Sequence, residues 1–219
     1  GARSTIQSKT YFTRNVGEEK QDVQLSYDSA GAFKSTTKFI YTGDLLALSY
    51  VMRGDQYDAA TADKLKTANK VFQSYSVYTG SREGEEQVSL THTYMGSLAP
   101  TATAPALADA NIRNTTIFTY SAVVADDKKM LSSAVYTGYL TSHNATRLRS
   151  RTYYTKARGE EKADLSESYR PDGTVREQTE FFYGYGASAL RASDASIGAD
   201  SALVRQDTYR HTPAGARST

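Results

Sequence analysis

The sequence predicts an all-β chain: a tandem-repeat, β-rich array of three units of about 71 residues. Each unit would carry roughly four strands and short helical connectors, in a solenoid- or fibre-like arrangement. Three observations predict it. Tyr, at 17 residues, outnumbers Phe at 7, and there is no Trp, a balance suited to pleated, half-buried surfaces. Residues 8–44 align without a gap on residues 150–186 at an offset of 142. Turn chemistry, "YDSAG" and "YRPDG", falls at the same place in both copies.

In the first copy, "KTYFTR" and "EEKQDVQLSY" read as strands separated by Gly17. Val23, Leu25 and Tyr27 alternate and share a face. "AFKSTTKFIY" returns after the turn as the hairpin's second strand, with Phe33, Thr37, Phe39 and Tyr41 together on its odd-numbered face. Less regular stretches follow, in which Ala-Asp recurs at 62–63, 108–109, 125–126 and 199–200; Asp there would cap at most a two-turn helix.

The matched positions are Tyr11 with Tyr153, Gly17 with Gly159, Tyr27 with Tyr169 and Phe39 with Phe181. A middle copy supplies Tyr78, Gly84, Tyr94 and Phe118, broken by an insertion at 95–110. The units expected are 1–74, 75–149 and 150–219. Gly-Ala-Arg-Ser-Thr stands at both 1–5 and 215–219, so the third unit is expected to run into a further copy, and the chain to be an excerpt or a processed product.

"YDSAGAF", Tyr27–Phe33, resembles the Tyr-Asp-x-x-Gly-x-hydrophobic core of YD (Rhs-type) repeats, found in giant bacterial cell-surface proteins. The third copy departs from it with "YRPDGTV", keeping Tyr169, Gly173 and Val175. The resemblance implies a spiralling β-hairpin array at the cell surface, and offers the non-catalytic shell of a toxin as one reading.

Composition bounds the chemistry. Lys plus Arg number 26 and Asp plus Glu 24, interspersed, with no basic stripe to suggest nucleic acid. With no Cys, disulfides and thiolate sites are excluded. Mean hydropathy is −0.56, and no apolar run is long enough for a membrane helix. No nucleotide-binding, zinc-protease or serine-hydrolase motif occurs, and three equivalent copies argue against a single active site, so no enzyme and no cofactor are expected. The histidines, His92, His143 and His211, lack metal or triad spacing and read as surface residues. Two Asn-x-Thr triplets, at Asn114 and Asn144, fall in expected loops.

The recurring polar motif is Gly-Glu-Glu: Glu18 and Glu19, Glu85 and Glu86, Glu160 and Glu161. Paired carboxylates could bind Ca²⁺, but neighbours on a strand point to opposite faces. Ladders with Arg or Lys between stacked units are the simpler account. The functional expectation is a structural segment of an extracellular bacterial filament, stalk or surface fibre, with copies of itself as partner. The alternative is a glycan-binding adhesin module using the loop at 95–110.

Overall fold

A computed structural model describes residues 5–66, 71–95, 110–123, 128–184, 189–211 and 217–218. The chain divides into two compact units, Gly1–Asn114 and Thr115–Thr219. The first contains β1 (Ser8–Thr13), β2 (Lys20–Tyr27), β3 (Phe33–Thr42), β4 (Leu45–Arg53), β5 (Phe72–Thr79) and β6 (Gln87–Tyr94). Strand β7 (Ile112–Tyr120) carries the division. The second unit contains β8 (Met130–Thr137), β9 (Leu148–Thr155), β10 (Lys162–Tyr169), β11 (Val175–Tyr183), β12 (Leu190–Arg191), β13 (Leu203–His211) and β14 (Arg217–Ser218). In each unit strand order follows chain order and the described pairings are antiparallel, with β12 added to the end of β11.

This order corrects the YD resemblance. A YD-type spiral or a solenoid curls its strands about an axis, whereas in each unit these pair in simple antiparallel sequential order. The hairpin core that suggested the family is generic turn chemistry. Asp28 accepts the N–H groups of Ala30 and Ala32, and Gly31 sits at φ +82°.

The three-unit array with helical connectors is corrected as well. Among the described residues the one helical element is a single 3-10 turn, Ala145–Arg147, capped by the side chain of Asn144. The connectors are turns because their aspartates accept N–H groups two residues on: Asp58 from Ala60, Asp63 from Leu65, Asp194 from Ser196. Such local bonds compete with a helix. Ala108-Asp109 and Ala125-Asp126 lie outside the described residues. Regularity also fails because the long excursions fall at different junctions: between β4 and β5, between β6 and β7, and between β11 and β13.

What does recur is the hairpin. Tyr11 faces Val23 and Phe12 faces Gln21; at the same offset of 142, Tyr153 faces Leu165 and Tyr154 faces Ala163. The register slips between those pairs, so Asp22 and Asp164 are the extra residues of β-bulges. Ser89 is the bulged residue of the β5–β6 hairpin. Tyr78, however, faces Val88 and so takes the place of Phe12 and Tyr154, while Val77 takes that of Tyr11 and Tyr153. The β5–β6 loop is one residue longer than its counterparts. Gly80 lets the longer loop pack: a Cβ there would lie 2.9 Å from the Glu86 Cα.

The buried residues of the first unit include Val23, Leu25, Tyr50, Met52, Phe72, Tyr94 and Ile112. Tyr50 stacks on Tyr75, whose ring in turn stacks on His92. His92 is only 1% exposed, so it is a core residue and not a surface one. On β3 the buried residues are Thr36 and Lys38, on the even-numbered face, and Phe33 is exposed. Asn114 lies inside β7, where a loop was expected.

Candidate functional site

The Gly-Glu-Glu loops recur in the β1–β2, β5–β6 and β9–β10 hairpins. Gly17, Gly84 and Gly159 take φ of +89°, +78° and +81°, a region open to glycine. Each loop is closed by the first glutamate's N–H: Glu18 donates to Asn15 O at 3.0 Å, Glu85 to Arg82 O at 3.2 Å and Glu160 to Ala157 O at 3.1 Å. The second carboxylate folds back on the glycine, Glu19 Oε2 accepting from Gly17 N at 2.9 Å and Glu161 Oε2 from Gly159 N at 2.7 Å.

The remaining oxygen distinguishes the copies. Glu86 Oε1 accepts from Leu46 N at 3.0 Å, and Glu161 Oε1 accepts from Met130 N at 3.1 Å. Both donors lie at the start of the strand before the hairpin, β4 or β8. The second glutamate therefore clamps its hairpin to its neighbour. Burial pushes the Glu86 carboxyl up, but the N–H groups of Leu46, Glu86 and Gly84, with the charge of Lys20, hold it below the usual range. Glu19 is exposed, and among the described residues β1 pairs with β2 and with no second strand. We expect Glu161→Ala to cost about 1–2 kcal/mol and Glu19→Ala under about 1 kcal/mol, since only the first strands a half-buried strand N–H. Urea denaturation of the two variants checks the order.

Among the described residues Glu85 meets a basic side chain, Arg82 at 3.8 Å inside its own loop, and the lysines that follow the motif turn elsewhere. Lys20 Nζ meets Glu83 at 2.7 Å and Asp44 at 3.4 Å, and lies over the Tyr41 ring. Its counterpart Lys162 donates to Ala199 O at 2.8 Å and Ser201 O at 2.9 Å, over the Tyr183 ring. Both lysines tie the hairpin to a following turn, by different acceptors.

The bulges carry ion clusters. Asp22 bonds Lys38 and lies 2.9 Å from Lys64. At the equivalent positions Asp164 meets Arg191 at 2.6 Å, and Arg191 meets Glu180 at 3.2 Å. Glu180 stands where Lys38 does, so charge is rearranged around a retained aspartate. The middle copy has Ser89 and Ile117 in these two places.

The remaining positions singled out in the sequence are dispersed among packing roles. Tyr11 stacks on Tyr57 at 4.1 Å, and Tyr27 packs on Phe33 at 4.8 Å. Tyr153 and Tyr169 both donate to Glu167 Oε2, at 3.3 and 2.6 Å. Tyr94 is buried against Phe72, and Phe181 packs on Tyr183, Ala192 and Ile197. Phe39 on β3 faces Ser49, and Phe118 lies on β7. Among the described residues no group of three or more His, Asp or Glu is arranged to hold a metal ion. The loop at 95–110, invoked for glycan binding, lies outside the described residues from 96 to 109.

Sequence reasoning missed Thr36 and Thr115, two fully buried hydroxyls with matching partners. A signal was present: "TTKF" and "TTIF" place each three residues before Phe39 and Phe118. No protein-family model matches the chain, and no curated protein matches it.

Proposed function

We propose that this chain is a non-catalytic structural segment that extends a β-sheet strand by strand, within an extracellular filament, stalk or surface fibre built from copies of itself. The observation that carries this reading is the repeated clamp: Glu86 and Glu161 each bridge to the preceding strand, and Glu19 presents the same carboxylate with no such strand beside it among the described residues. The polar chemistry is spent on joining strands. Hydroxyl pairs recur across the ladders, Ser26 with Ser35, Ser76 with Thr91, Thr152 with Ser166 and Thr179 with Thr208. The toxin-shell reading loses its support with the YD resemblance.

Sedimentation velocity across a range of concentrations, followed by electron microscopy, tests the reading. We expect concentration-dependent association into elongated particles. Compact monomers at every concentration would overturn it.

A further inference from the structure

The geometry points to head-to-tail assembly in one definite register, with the outer edge of β1 taking the outer edge of β13 from a second copy of this chain. This rests on the self-assembly reading above and adds the surface, the register and the clamp.

Strand β13 stands to β11 as β4 stands to β3. Ser35 faces Arg53 and Tyr41 faces Leu46; 142 residues on, Glu177 faces Arg210 and Tyr183 faces Leu203, with the same irregularity before the last pair. In turn β1 stands to β2 as β5 stands to β6, since Tyr11 faces Val23 where Val77 faces Leu90. Inside the chain a β4-type strand pairs with a β5-type strand. The pairing recurs between β8 and β9, with matching registers. The β13-type and β1-type edges are thus the two halves of a joint already made twice. Among the described residues β1 has no neighbour on its outer side, and β14 covers β13 only at Arg210 and His211.

Transferring the β4–β5 register sets Lys9 opposite Asp207, Tyr11 opposite Arg205, Thr10 opposite Gln206 and Ser8 opposite Thr208. Opposite charges meet at the first pair, and hydroxyls continue the Thr179–Thr208 ladder at the last. The clamp is completed too. Leu203 occupies the place of Leu46, so its N–H is the donor that Glu19 would accept.

Exposure agrees with two uncovered halves. Phe12 is 54% exposed, whereas Tyr78 and Tyr154 in its place are half-buried and share hydrogen bonds with Ser49 and Ser133 of the preceding strand. Leu203 and Val204 are exposed, whereas Leu46 and Ala47 are half-buried. A heterologous joint of this kind propagates without closing.

Because the chain has no cysteine, the register can be read by cross-linking. Lys9→Cys and Asp207→Cys are prepared as separate proteins, mixed and oxidised, so a bond between them is intermolecular. We expect the disulfide-linked peptide joining positions 9 and 207 at about tenfold the yield of the Lys9→Cys with Gln206→Cys mixture, whose side chains leave opposite faces. Lys9→Asp should weaken association measured by sedimentation, and adding Asp207→Lys to it should restore association. Association with no preference for position 207, and no rescue, would overturn the register while leaving self-assembly standing. Monomers throughout would overturn both.

Discussion

Asp22→Ala is expected to destabilise the first unit by about 3 kcal/mol, lowering its melting temperature by roughly 10 °C. Asp22 and Lys38 are each only 7% exposed, and Lys38 also donates to Asp63 O at 2.8 Å. Removing the carboxylate leaves the Lys38 ammonium buried beside a single carbonyl, an uncompensated charge. The middle copy shows how the position is filled without ions, by Ser89 and Ile117. Asp22→Ser with Lys38→Ile should therefore recover most of the loss, because Lys64 is exposed enough to return to water. Asp164→Ala should cost less than Asp22→Ala, since Arg191 keeps Glu180. The pH dependence has a definite sign. Burial raises the Asp22 carboxyl, but bonds and charge from Lys38 and Lys64 outweigh it and hold it below its ordinary value. A depressed carboxylate stabilises the fold fully above its unfolded-state pKa and loses that contribution as pH falls through its folded value. Thermal melts between about pH 7 and pH 2 should show the wild type losing stability on acidification, and Asp22→Ala losing less.

The hairpins were legible because their determinants are local. Glycine at positive φ, an Asp-led turn and matched aromatic positions lie within one copy, and β2 and β10 start and stop at equivalent residues. Register was not legible. Tyr78 aligns with Tyr11 in sequence, yet the longer loop at Gly80 moves it into the place of Phe12, on the opposite face. The bulges were hidden for the same reason. A period of two assigns Asp22 to the face opposite Val23, yet Lys38 stands directly across from Val23 and bonds Asp22, so it is the added residue that brings the carboxylate to Lys38 and Lys64. Burial of His92 and Thr36 likewise follows from cross-strand neighbours, Tyr75 for the first and Leu25 and Met52 for the second. The clamp was half visible: Gly-Glu-Glu stood out, but its target, the N–H of Leu46 or Met130, is a backbone group carrying no sequence signature.

Thr36→Val should cost about 2–3 kcal/mol although it preserves the side chain's shape. The hydroxyl donates to Gly54 O at 2.7 Å and accepts from Gln56 N at 2.9 Å, closing the turn that leaves β4. Gly54 holds φ +68° there, and its own N–H donates to Lys34 O at 3.0 Å. Thr115 repeats the arrangement at the end of β8, with Gly138 O at 2.7 Å, Leu140 N at 3.1 Å and Gly138 at φ +74°. Valine keeps the volume but strands one donor and one acceptor in each case, and a lost partner in a buried site costs more than the bond contributes. Thr36→Ser keeps both bonds and should cost about 1 kcal/mol for the missing methyl. Hydrogen exchange gives a local readout: Thr36→Val should lose protection at Gln56, and Thr115→Val at Leu140. The two turns lie in different compact units and share no partner, so the costs of the double substitution should add. Equal losses from serine and valine would mean that methyl packing, and not the hydroxyl, holds these turns.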